Sequence, residues 1–124
     1  MWEHAPGFHG IAIAEGLDEP SVINRLRVYR AEITQEGAPL DYEGSLGRWH
    51  LYWVEVDEEM IREVQRHTRR GWYSHFWQGD RLLVVYNDAT FEVGRRDKSS
   101  WTAAIEHGKQ QGIPRDELDF ISDD

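Results

Sequence analysis

The chain has 124 residues, the length of one ordinary domain, with 40% hydrophobic residues and a formal charge of -9 from 14 basic and 23 acidic side chains. No Cys is present, which excludes a disulfide framework, a thiolate metal site and a cysteine nucleophile. The acidic balance argues against binding to a phosphate backbone, and no apolar run approaches the roughly 20 residues that span a bilayer.

A soluble, cytoplasmic, acidic protein is therefore expected, with no nucleic-acid or membrane partner. The opening "MWEHAPGFHG" lacks a basic flank and an apolar run, so no secretion signal is expected there. Residues 1–24 are rich in Gly and Pro and read as a loosely ordered arm, with a short strand over Ile11–Ala14. "RLRVYRAEIT" (25–34) reads as a strand and "QEGAPLDYEGSLGR" (35–48) as a long loop. "WHLYWVEV" (49–56) is apolar on both faces, which suits a strand covered on both sides.

"DEEMIREVQRHT" (57–68) predicts a helix, with Asp57 as N-cap, Glu58 and Glu59 in the first turn, and Gly71 as the stop. Three close strands follow: "WYSHFWQ", "RLLVVYN" and "TFEVGR". Gly79-Asp80 and Asn87-Asp88 supply tight hairpin turns. "SSWTAAIEHGKQQG" (99–112) predicts a second helix with a stripe of Trp101, Ala104, Ile105 and Gly108, Ser99 as cap, and Gly112 and Pro114 as terminators. The tail 121–124 is expected to fray. The order β-β-α-β-β-β-α makes this an α+β chain: a single domain over residues 25–120, with a roughly five-stranded, mainly antiparallel sheet and two helices on one face.

Two-residue turns fix a register in which Trp77 faces Leu82, His75 faces Val84, Val84 faces Phe91 and Leu82 faces Val93. Alternation then sorts the meander. Tyr73, His75, Trp77, Leu82, Val84, Tyr86, Phe91 and Val93 share one face, expected to be the core. Trp72, Ser74, Phe76, Arg81, Leu83, Val85, Thr90 and Glu92 share the other, expected to face outward. Two aromatic rings in water are unusual unless something covers them. The cover could be the arm, the 35–48 loop, a second subunit or a ligand. Trp72 and Phe76, with Trp53, are therefore the candidate binding surface for a protein partner or a second copy of the chain.

Chemistry-bearing motifs are sparse. The six His show no HxH, no HExxH and no i, i+4 pair, so no metal site is expected. No phosphate-binding glycine loop and no nucleophile elbow occurs, and no cofactor is expected. "RRGWYSHFW" departs from an RNA-binding strand motif after its first aromatic, and its basic residues suit the end of the preceding helix. His75 is the one candidate acid–base group, in a dyad with Glu55 or Asp57, against the simpler reading of a neutral core histidine.

"GWYSHFWQGDRLLVVYND" (71–88) followed by "DKSSWTAAIEHGKQQGIPRDELDF" (97–120) resembles small uncharacterised prokaryotic proteins with a Gly-Trp-Tyr-x-His-Phe segment and a Gly-Ile-Pro…Leu-Asp-Phe tail. The resemblance covers the last half of the chain and "YRAEITQEGAPLD", while "YEGSLGRWH" stands as an extra here. It implies no activity and assigns no residue a role. The expectation for function is thus a small non-catalytic binding or self-assembly domain working through its aromatic sheet surface. The alternative is a small enzyme or ligand-binding protein with His75 in a sheet-lined pocket.

Overall fold

The computed structural model describes residues 7–34 and 49–120. Residues 1–6, the 35–48 loop and the 121–124 tail lie outside the described residues. Six strands form one antiparallel sheet: β1 (Phe8–Ile13), β2 (Arg27–Ile33), β3 (His50–Val56), β4 (Ser74–Gln78), β5 (Arg81–Val85) and β6 (Thr90–Gly94). Two α-helices accompany them, α1 (Glu58–Arg66) and α2 (Thr102–Gln110). The strand order is β2-β3-β1-β4-β5-β6.

The fold is thus α+β with an antiparallel sheet, as the pattern of elements implies, but the arm is not an arm. From Phe8 onward it is an interior strand, pairing with β3 on one side and β4 on the other. The composition misleads because Gly10 is required by packing. A Cβ on Gly10 would sit 2.1 Å from Phe76 Cδ1 and 2.8 Å from the His75 carbonyl oxygen, so only a bare backbone lets the Phe76 ring lie across β1. The chain then continues as two 3₁₀ turns, Ala14–Gly16 and Pro20–Arg25. These are tied to the end of α1 where Arg69 donates to the Gly16 carbonyl (2.9 Å) and Asp18 donates to that of His67 (2.8 Å).

The helices sit on opposite faces of the sheet, not on one. On the first face, Ile61 and Val64 of α1 join Leu17, Val22, Ile23 and Leu26 over Phe8, Val54, Val56, Phe76, Leu83 and Val85. On the second, Ala104 of α2 joins Trp101, Ile113, Leu118 and Phe120 over Ile11, Trp53, Trp77, Leu82, Val84 and Tyr86. The expectation that the Phe76 row faces water is therefore overturned. Its cover is the chain's own N-terminal segment together with α1.

Local signals hold well within the meander. The observed register places His75 opposite Val84, Trp77 opposite Leu82, Leu82 opposite Val93 and Val84 opposite Phe91. Gly79 takes φ 58° in the first turn, the left-handed region open to glycine. Asp57 caps α1 by accepting the Met60 N–H at 2.9 Å. The second helix begins differently from expectation. A 3₁₀ turn, Lys98–Trp101, precedes α2, and Asp97 rather than Ser99 is its cap, accepting the Ser99 N–H at 3.2 Å. Among the described residues no helix is long and apolar enough to cross a membrane.

Candidate functional site: a cleft beside His75

Among the described residues, the second face of the sheet is not filled along its whole length. Beyond the end of α2, the segment 112–119 crosses over β1, β3 and β4 and leaves a cleft of about 370 Å³. Its floor follows from alternation. Ile11 and Ile13 of β1 point to the same face, with Ile11 flanked by Trp53 and His75 and Ile13 by Leu51. Trp49, Trp72, Tyr73, Ile113 and Pro114 also line the cleft.

The overlying segment is positioned by the way α2 ends. Gly112, at φ 89°, takes the left-handed conformation, the Ile113 N–H bonds the Gly108 carbonyl (3.0 Å), and the Gly112 N–H bonds that of Lys109 (3.0 Å). These two bonds make a Schellman ending, which turns Ile113 back onto the sheet. A 3₁₀ turn, Arg115–Glu117, follows. The Tyr73 hydroxyl donates to the Glu117 carbonyl at 2.6 Å, and the Gly71 N–H donates to Gln111 Oε1 at 2.9 Å. Leu118 and Phe120, both fully buried, fix the far end.

His75 lines this cleft and is 7% exposed. Its ring lies 5.7 Å from that of Trp77, 6.0 Å from Tyr73 and 6.2 Å from Phe120. His75 thus sits in aromatic company and on the wall of a cavity. The proposed dyad partners are engaged elsewhere. Glu55 binds His9 (3.2 Å) and Arg27 (2.9 Å), and Asp57 caps α1. Among the described residues, the carboxylates that share the cleft with His75 are Glu117 and Asp119, which sequence reasoning did not single out.

The electrostatics of the cleft are acidic. The described residues that line it include Glu117 and Asp119 and neither Lys nor Arg. Burial, and then the neighbouring charge of Asp116, hold the Glu117 carboxyl above its ordinary range. Burial, then Tyr86 and the charges of Asp119 and Glu117, push the Tyr73 hydroxyl far above its own. Trp49 Nε1 is buried and has no acceptor among the described residues.

The three aromatic residues expected to form an outward surface are all interior: Trp72 is 7% exposed, Phe76 0% and Trp53 5%. Phe76 belongs to the α1 side of the core, and Trp53 to the α2 side, with the Arg30 guanidinium 4.1 Å above its ring. Trp72 lies against Gly16, where an added Cβ would be 2.8 Å from its ring, and its other neighbour is Trp49, with ring centroids 5.5 Å apart. An assembly surface made of these three side chains is not present in the folded chain. Of the three, Trp72 alone borders the cleft. Four other histidines pair with carboxylates: His9 with Glu55, His50 with Glu15, His67 with Asp18 and His107 with Asp88. No family model, no curated protein and no solved structure matches this chain.

Proposed function

We propose that this chain is a small-ligand-binding domain whose site is the cleft beside His75. The observation that carries this reading is the cleft itself: about 370 Å³ in a domain of 124 residues, with a largely apolar and aromatic lining and a buried imidazole among its walls. Small-molecule sites have this character, a concave apolar space of roughly 300–1,000 Å³ with a few convergent polar groups. Trp49 adds an indole N–H that lacks an acceptor among the described residues, a donor that a ligand oxygen or nitrogen would satisfy. The reading replaces binding through an aromatic sheet surface, because the side chains of that surface are buried. A binder rather than a catalyst is favoured because the carboxylates expected to activate His75 are committed to His9, Arg27 and the α1 cap. A chain without Cys suits a reducing compartment, and we take the cytoplasm as its site of action.

Ligand-observed NMR against a library of ring-containing fragments tests the reading. The wild type is compared with Leu51→Trp, which places an indole in the cleft floor, after a thermal melt shows that the variant folds. Hits that vanish in Leu51→Trp support the site. An absence of hits, or hits indifferent to the blockage, would sink it.

A further inference from the structure

The charge of the ligand is written in the lining, and this inference rests on the cleft being the ligand site. Four of the residues that line the space carry aromatic rings, Trp49, Trp72, Tyr73 and His75. Trp49 and Trp72 meet edge to face at 63°, so the two indoles present surfaces in different directions. Aromatic faces carry negative potential and attract ammonium groups, more strongly where water is excluded. The overlying segment adds two carboxylates, Glu117 and Asp119, in a lining whose described residues include neither Lys nor Arg. An anionic ligand would bring a third negative charge into this space with no Lys or Arg among the described lining residues to meet it, and a neutral one would leave the two carboxylates without a counter-charge from that lining. We infer that the cleft takes an organic cation: an aromatic or alicyclic body against Ile11, Ile13 and Leu51, with an amine or alkylammonium group held between the aromatic walls and the carboxylates of Glu117 and Asp119.

Two independent features therefore point the same way, the ring-lined cavity and its one-signed charge. The net charge of -9 favours a cation's approach as well.

Three near-isosteric probes separate the possibilities: 2-phenylethylamine, 2-phenylethanol and 3-phenylpropionate, titrated calorimetrically at pH 7 into the wild type and into Glu117→Gln/Asp119→Asn. Both residues are exposed at the mouth, and a melt confirms that the double variant folds. The inference expects the amine to bind about tenfold tighter than the alcohol, with the acid weakest, because charge pairs with two exposed carboxylates supply that difference. In the double variant the amine-to-alcohol ratio falls to near one. Equal binding of the three probes or preference for the acid overturns the cation while leaving the cleft as a site, and an amine preference that survives in the double variant overturns the part given to Glu117 and Asp119. Binding of none of the three counts against the cleft itself, and the inference falls with it.

Discussion

The two faces of the sheet are built from the same strands and finished differently. The α1 face is closed: Phe8, Val54, Phe76 and Val85 are buried under α1 and the N-terminal turns, and Gly10 is kept bare so that Phe76 can pack on the backbone. The α2 face is closed over Trp53, Trp77, Leu82, Val84 and Tyr86. Among the described residues, its cover beside Ile13, Leu51 and His75 is a short, irregular segment held by a tyrosine hydroxyl, and a cavity remains. A helix presents a continuous apolar stripe that fills a groove, whereas a 3₁₀ turn pinned at its ends spans the groove and leaves space beneath. The strands place aromatic residues on both faces, so aromatic content alone does not mark the site. What marks it is where the covering layer changes from helix to turn.

Substitutions can break or sharpen that contrast. The largest effect is expected at Phe76→Ala, which empties the centre of the closed face and should cost about 3–5 kcal/mol in urea unfolding. A cost near 1 kcal/mol would mean that the α1 face is loosely packed after all. Enlargement tests the contrast directly. Val54→Phe, on the closed face, should cost about 1–3 kcal/mol, because nothing there can yield without strain. Leu51→Phe, three residues away on the same strand but facing the cleft, should change stability by less than about 1 kcal/mol, since its added atoms enter existing space. Equal costs for the pair would contradict an open cleft.

The smallest expected effects concern pH, and here the two regions differ in sign. Glu63 on α1 has its carboxyl lowered, first by the hydrogen bond from Arg25, which outweighs an opposing effect of burial, and then by the charges of Arg66, Arg25 and His67. Its contribution to stability is present above its ordinary pKa of 4.5 and is lost as the pH falls through the depressed folded value. Glu117 at the cleft has its carboxyl raised, so its contribution is fully present below 4.5 and is lost as the pH rises through the folded value. Unfolding followed across acidic pH should therefore show Glu63→Gln losing stability relative to wild type on the neutral side. Glu117→Gln should gain slightly there, with both differences small because both groups are largely solvated. Slopes of the same sign for the two variants would contradict the assignment of a paired and an uncompensated carboxylate.

Much of the meander was legible in the sequence because its determinants are local. Two tight turns fix the register of β4, β5 and β6, and alternation then places His75 beside Tyr73 and Trp77. The Asp57 cap of α1 is equally local. The insertion of β1 between β3 and β4 was not legible, because Gly10 and the nearby prolines read as a loosely ordered arm when the partner ring of Phe76, 66 positions away, is out of view. The short strand expected over Ile11–Ala14 overlaps β1, but without its place between β3 and β4 the cover of Trp72 and Phe76 was lost from view and they looked like a surface. The cleft was hidden for the same reason. Ile11 and Ile13, Trp49 and Leu51, His75, and Glu117 and Asp119 come from four separated stretches of chain, and only the Schellman turn at Gly112 brings the last of them over the sheet. The sequence did single out His75, one of the side chains on which the site now depends.

The most direct test of the cleft as the ligand site is a ¹H–¹⁵N chemical-shift map recorded while 2-phenylethylamine is titrated into the wild-type chain. Saturable shifts confined to Ile11, Tyr73, His75, Ile113 and their neighbours, with Val54, Ile61 and Val85 silent, are the predicted result. Shifts centred on the α1 face, or no saturable shift at any residue, would contradict the account.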